Sequence, residues 1–168
     1  MIKNLLLHYT NYNLWANSNL FSFVEKEVSD KDLDKVIPSS FPSLRKTIFH
    51  IWDAEYIWYR RLEGESLREW PSKNFTGSFS EARDKISKLD KLFIEYIEAS
   101  DAEKLSIPIS YVNTEGKSFT NPVWEAIHHI MNHSTYHRGQ VVTLLRQLNV
   151  NEIPATDFIA FTRTGIKS

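Results

Sequence analysis

Apolar residues recur at the 3.6-residue helical period in four segments, and each segment carries its own boundary signals. The first spans about Ile2 to Glu27, with Leu5, Tyr9, Tyr12, Ala16, Leu20 and Phe23 on one stripe. The second spans about Ser43 to Glu63 through Leu44, Ile51, Ala54, Trp58 and Leu62, and Gly64 is a natural stop. The third spans about Ser80 to Ala99, using Ala82, Ile86, Leu89, Phe93, Tyr96 and Ile97; Ser78 and Glu81 ahead of it have capping-box spacing. The fourth opens at Asn121-Pro122, read as an N-cap followed by proline at the first helical position. It continues through Val123, Ile127, Ile130, Val141, Leu144, Leu145 and Leu148, and Asn149 can take the left-handed conformation that closes it.

The connections refine this pattern. Glu65 to Phe79 has no regular period and is long enough to carry the chain along a whole bundle, which makes the second and third helices parallel neighbours. Ile107, Ile109 and Tyr111 alternate before Asn113-Thr114-Glu115-Gly116, then Lys117 and Phe119 follow, the pattern of a short β-hairpin. After Asn149 comes a tail whose Ile153, Phe158, Ile159 and Phe161 can dock on the bundle. The expected architecture is an all-α four-helix bundle with a long crossover between helices 2 and 3 and a hairpin before helix 4. It forms a single domain over residues 1–168.

Composition narrows the function classes. Twenty Lys+Arg balance 21 Asp+Glu for a net charge of −1, which lacks the basic excess of a dedicated nucleic-acid binder. The chain has no cysteine, so disulfides, thiolate metal sites and a cysteine nucleophile are excluded. The N-terminal apolar cluster Leu5-Leu6-Leu7 is interrupted by His8 and Asn11, too short for a signal peptide, and no run suits a membrane span. A cytoplasmic location is expected. The tryptophans Trp15, Trp52, Trp58, Trp70 and Trp124 are read as core and groove lining, and Arg60-Arg61 and Arg45-Lys46 as solvated faces snorkelling over apolar neighbours.

Histidine is the unusual resource: four of six, His128, His129, His133 and His137, fall within ten residues of the fourth helix. Residues four apart share a helix face, so two imidazoles there can converge on one ion. On the helical wheel His137 lies roughly 30° from the centre of the apolar stripe, His133 roughly 70° and His129 roughly 110°, with His128 nearly opposite. His133 and His137 are therefore the inward pair, and His128 is read as solvated. A third ligand must come from another helix. His50 is the best candidate, sharing a face with Ala54 and Ile57, while His8 sits at the edge of its stripe. Three imidazoles suit Zn²⁺, Ni²⁺, Fe²⁺ or Cu²⁺ and do not suit Mg²⁺ or Ca²⁺. A di-iron site is not expected, because that site needs Glu-x-x-His on two helices and the chain has the spacing once, at Glu125 and His128. Asp53 and Glu55 flank His50 and are candidates to bond a metal-bound imidazole, with Glu55 read as surface charge. Arg138 points away from the apolar stripe and is read as an inter-helix or tail contact.

The run from His129 through His133 and His137-Arg138-Gly139-Gln140 to Leu148 resembles the signature of the DinB/YfiT-like family. The similarity includes Tyr12-Asn13-Leu14-Trp15-Ala16-Asn17, His50-Ile51-Trp52-Asp53-Ala54-Glu55 and Pro154-Ala155-Thr156-Asp157-Phe158-Ile159, so it spans essentially the whole chain. The departures are Asn149 where a glycine is usual and Tyr136 where some members have another histidine. The resemblance implies an up-down-down-up bundle, a homodimer, and a divalent metal held by His50, His133 and His137. Some relatives use the metal to activate a low-molecular-weight thiol, and others are described as metal-dependent hydrolases.

Two functions follow as expectations. One is a metal-dependent enzyme, a hydrolase or a thiol transferase. Its zinc, nickel or iron activates water or an external thiol against a small-molecule substrate, with Asp53 or Asp157 available to orient a ligand or act as base. The alternative is a non-catalytic, stress-associated, dimeric metal-binding scaffold, favoured if His129 or His8 closes the site as a fourth ligand.

Overall fold

The four periodic segments form the four long helices of the computed structural model, which describes residues 1–165; Ile166, Lys167 and Ser168, the end of the expected tail, lie outside the described residues. In chain order the elements are α1 (Ile2–Glu27), α2 (Asp30–Leu33), α3 (Leu44–Leu62), a 3-10 turn (Pro71–Asn74), α4 (Phe79–Glu98) and α5 (Ala102–Ser106). The hairpin strands β1 (Pro108–Val112) and β2 (Ser118–Pro122) follow, then α6 (Val123–Gln147) and α7 (Phe158–Thr162).

Local chemistry sets the boundaries. Ser43 caps α3 by accepting from the Lys46 N–H, and Ser78 with Glu81 completes a reciprocal capping box at α4. Each such cap contributes about 1 kcal/mol. Gly64 (φ 86) and Asn149 (φ 62) turn the chain left-handed after α3 and α6, as their positions in the sequence indicate. The start of α6 differs from expectation. Asn121 and Pro122 belong to β2, where Asn121 pairs with Ile109, and the helix begins at Val123 with no side-chain cap. Cross-strand pairing holds Asn121 extended. Its side chain links the hairpin to the helix instead, accepting from the Tyr111 hydroxyl at 2.9 Å and donating to Glu125 at 2.9 Å.

Helix directions follow from which ends meet. Lys3 bonds the Glu98 carbonyl and Arg83 pairs with Glu25, so α1 and α4 are antiparallel. Tyr9 packs on His128 while Asn17 bonds Arg138, so α1 and α6 are parallel. Trp58 meets His129 and His50 meets His133, so α3 opposes α6. The crossover of residues 63–78 is what allows α3 and α4 to run together, and the bundle is up-down-down-up. Leu20, Phe21, Ile48, Ile51, Ile86, Phe93, Ile130 and Leu145 fill its core. The tail docks through Phe161, fully buried against Tyr12 and Trp15, and Tyr12 donates to the Thr156 carbonyl at 2.8 Å. Phe158 docks as well, its ring 5.2 Å from those of His8 and Tyr12, though it keeps one side in solvent. Ile159, expected to dock, stays exposed because α7 is only five residues long and turns one face inward. Among the described residues no helix is long and apolar enough to cross a membrane.

Candidate metal centre

The middle of α6 and the second turn of α3 bring three imidazoles together. Nε2 of His133 lies 3.1 Å from Nε2 of His50 and 3.1 Å from Nε2 of His137. Among the described residues these three form a group whose ligand atoms all lie within 4.8 Å and could hold a metal ion. The wheel order is visible in the burial: His137 is buried, His133 half-buried, His129 and His128 exposed. Neither His129 nor His8 belongs to the cluster. His129 packs beside Trp58, and His8 sits against Phe158 and Phe161, 5.2 Å from each ring, at the tail end of the bundle.

The donor set fits a divalent transition metal. An ion about 2.0–2.1 Å from each nitrogen separates tetrahedral ligand atoms by about 3.3–3.4 Å and octahedral neighbours by about 2.8–3.0 Å, and the observed 3.1 Å lies between the two. Both contacts share the one ring-plane position of His133 Nε2, which holds either a proton or a lone pair. Hydrogen bonding alone therefore satisfies one of the two contacts, whereas a shared cation satisfies both. Burial, aided by His137, pushes His50 down to about 4; burial with His137, His50 and His129 pushes His133 down to about 3. His137 is also lowered by burial, against the opposing pull of Gln140. All three rings are thus neutral at pH 7, the form that ligates.

Surrounding residues hold the rings. Gln140, one turn beyond His137, accepts from its Nδ1 at 2.8 Å and donates to Ser40, which leaves the His137 Nε2 lone pair aimed at the cluster. Phe41 stacks on His50 at 4.1 Å. A cleft of about 570 Å³ opens beside His50, lined by Phe41, Lys46, Phe49, Asp53, Trp70 and Lys73. Asp53 lines this cleft, but both of its oxygens are committed to Ser72, accepting from the backbone N–H at 2.8 Å and the hydroxyl at 2.6 Å. It fastens the crossover to α3. Burial pushes its pKa up, and the two bonds from Ser72 oppose that rise. Asp157 is exposed at the start of α7 and does not join the cluster.

Behind the histidines lies a network that the sequence reading missed. Glu55, expected at the surface, is fully buried, because α3 turns it inward between α1, α4 and α6. Asn13 Nδ2 donates to Glu55 (2.9 Å) and Asp90 (2.8 Å), Asn17 Nδ2 to Asp90 (3.1 Å), and Ser134 to Glu55 (2.7 Å). Arg138, expected to point away from the apolar stripe, is instead 1% exposed in the bundle centre. It gives its Nη1 protons to the carbonyls of Asn13 and Asn17 and its Nη2 to Thr135, and of the expectation only the inter-helix contact holds. The asparagine amides relay charge, taking the guanidinium protons on one side and donating to the carboxylates on the other. Burial pushes both carboxyls up, Asp90 further because Glu55 lies beside it. The network pins α3 and α6 at the level of His50 and His133. Its signal was available: Asn13 and Asn17 are four apart on an otherwise apolar face.

Arg61, expected on a solvated face, is 6% exposed, drawn into the notch between Trp58 and Tyr111 with Cζ 4.5 Å from each ring centroid. Arg60 next to it keeps to the outside and pairs with Glu63 and Glu65.

Comparisons with known proteins agree with this architecture. Protein DinB of Bacillus subtilis (strain 168) is 27% identical over 154 residues, 88% of this chain and 87% of that protein. The uncharacterized protein YizA of the same organism is 24% identical over 169 residues, 97% of this chain and 99% of that one. A crystal structure of a DinB-like protein from Bacillus cereus ATCC 10987 superposes with a TM-score of 0.68 at 18% identity, covering 89% of this chain and 94% of the other. A DinB-like protein from Bacillus subtilis gives 0.63 at 14% identity, covering 89% and 96%. At these identities the two structures speak to the fold. The DinB family model matches residues 1–165, and the chain belongs to the DinB family.

Proposed function

We propose that this chain is a divalent-metal-dependent enzyme acting on a small molecule, with His50, His133 and His137 as the metal ligands. The observation that carries this reading is the convergence of the His50 and His137 Nε2 atoms on His133 Nε2, each at 3.1 Å, with His137 oriented from behind by Gln140. A divalent ion bound there supplies Lewis acidity toward water or toward the sulfur of an external low-molecular-weight thiol, the hydrolase and transferase forms of the proposal. The chain's own contributions are steric and electrostatic. Gln140 fixes the His137 tautomer, Phe41 fixes the plane of His50, and the cleft beside His50 gives a substrate access along an aromatic wall. A three-ligand group leaves room for that approach, which favours the enzyme over a scaffold closed by a fourth ligand. The same reading takes the protein as a cytoplasmic homodimer, checked by sedimentation.

Metal analysis of protein purified without an affinity tag tests the reading. The expected result is close to one zinc, nickel or iron per chain, lost in His133→Ala and retained in His129→Ala. Less than about a tenth of a metal per chain, unchanged by His133→Ala, refutes it, since three-ligand sites normally retain their ion. With metal present, parallel screens of thiol conjugation and of ester and amide hydrolysis separate the two reaction classes. A Co²⁺ spectrum that shifts on adding thiol alone supports the transferase form.

A further inference from the structure

A buried guanidinium normally has a carboxylate partner, because removing a cation from water is costly without one. Arg61 has none among the described residues. Its Nε is buried without a hydrogen-bond partner, and burial lowers its pKa below the ordinary value. The acids nearest in sequence are occupied elsewhere: Glu63 and Glu65 pair with Arg60. Two aromatic rings instead hold the group in place, Trp58 and Tyr111, packed edge to face with centroids 5.0 Å apart and each 4.5 Å from Arg61 Cζ. Tyr111 is itself anchored, its hydroxyl bonded to Asn121.

The position of this notch ties it to the histidine cluster. Trp58 touches the ring of His129 at 5.0 Å, and His129 lies 6.0 Å from His133, so one continuous line of ring contacts joins the notch to the three imidazoles. His129, left over from the metal cluster, therefore stands between Trp58 and His133 with a ring N–H to offer a ligand. A planar fork of unused N–H donors, held rigid by aromatic rings and flanked by an imidazole, matches the geometry of an oxyanion.

We propose that Arg61, seated on Trp58 and Tyr111 with His129 beside it, is an oxyanion-binding residue, and that the substrate of the histidine cluster carries a carboxylate or phosphate group which docks there. The inference deepens the metal-enzyme reading and rests on it for the word substrate; the anion site itself does not require a metal. The Arg61–aromatic contacts place the charged end of the ligand on the hairpin side of the cluster, opposite the cleft beside His50.

Acetate and inorganic phosphate, each titrated at constant ionic strength against chloride, are the probes, and the readouts are the Arg61 Nε–H and Trp58 Nε1–H resonances of metal-free protein. Saturable shifts with one or both anions are expected, and the anion giving the tighter curve distinguishes carboxylate from phosphate. Arg61→Met weakens that binding by at least about tenfold, the loss of a charge-assisted pair, and Arg61→Lys restores only part of it. Resonances that do not move in the wild type at high anion concentration overturn the proposal without recourse to any variant. Repeating the titration on Co²⁺-loaded protein tests proximity. Paramagnetic relaxation of the bound anion is expected in the wild type, and its persistence undiminished in Arg61→Met assigns the anion to the metal and overturns the Arg61 site. A Co²⁺ spectrum that forms while no anion responds refutes this inference and leaves the metal reading standing. An anion response with no Co²⁺ uptake refutes the metal reading and confines Arg61 to anion binding.

Discussion

Arg138→Met is the sharpest probe of how the site is held. Met keeps the length and apolar volume of the side chain, so the change removes charge and donors while largely preserving packing. In the wild type Arg138 is 1% exposed and serves the carbonyls of Asn13 and Asn17 and the hydroxyl of Thr135. Without it two buried carbonyls lose their donors, and Glu55 and Asp90 face each other with no cation in the bundle centre. Breaking one side of a buried charged network costs about 3–5 kcal/mol. With a urea m-value of about 2 kcal/mol/M, the midpoint falls by about 1.5–2.5 M. The pH dependence carries a sign. Burial raises both carboxyls above their ordinary values of 4.5 and 3.8. The native state therefore holds protons that the unfolded state has released, and the stability contributed by these groups falls as pH rises above about 4. Removing the cation raises both carboxyls further, so the deficit of Arg138→Met is larger at pH 8 than at pH 5. Urea unfolding monitored by circular dichroism at both pH values, in chelator, measures this. A loss below about 1 kcal/mol, or one that does not change between pH 5 and 8, refutes the relay.

Three smaller tests follow from neighbouring contacts. Gln140→Ala frees the His137 ring and is expected to weaken metal binding by about 10–100-fold, read by competition with a chromogenic chelator, while leaving thermal unfolding of the metal-free protein within about 1 °C. Asp53→Ala releases both bonds to Ser72 and is expected to cost about 1.5–3 kcal/mol, with limited proteolysis newly cutting within residues 65–78. Ser78→Ala removes the hydroxyl half of the α4 capping box and costs about 1 kcal/mol by urea unfolding, without altering metal stoichiometry.

The long helices were legible in the sequence because each buries one continuous stripe and ends at a residue whose conformation is locally dictated. Gly64 and Asn149 turn left-handed for their own backbone reasons, and Ser78 with Glu81 closes a box within four residues. The start of α6 was misplaced because a non-local bond decides it: pairing with Ile109 keeps Asn121 in a strand, and no feature within Asn121-Pro122 reports that partner. The histidine cluster was readable for the same reason as the helices. Angular position on α6 predicts burial, and burial falls in the order His137, His133, His129.

Charged residues obeyed a different rule, and there the wheel failed in a consistent way. Glu55 and Arg61 both lie on α3, both were placed in solvent, and both are buried. A single helix's apolar stripe describes one interface, but α3 contacts α6, α4 and the hairpin, so flanks that look polar on the wheel face other elements. Burial of a charge there requires compensation from those elements. Glu55 receives it from Asn13, Asn17 and Ser134, residues supplied by α1 and α6. Arg61 receives only the faces of Trp58 and Tyr111, a weaker compensation than a carboxylate provides. These two buried side chains thus differ in kind: Glu55 locks the bundle through the bonds its Oε1 accepts, and Arg61, whose Nε has no hydrogen-bond partner, retains donors for a ligand.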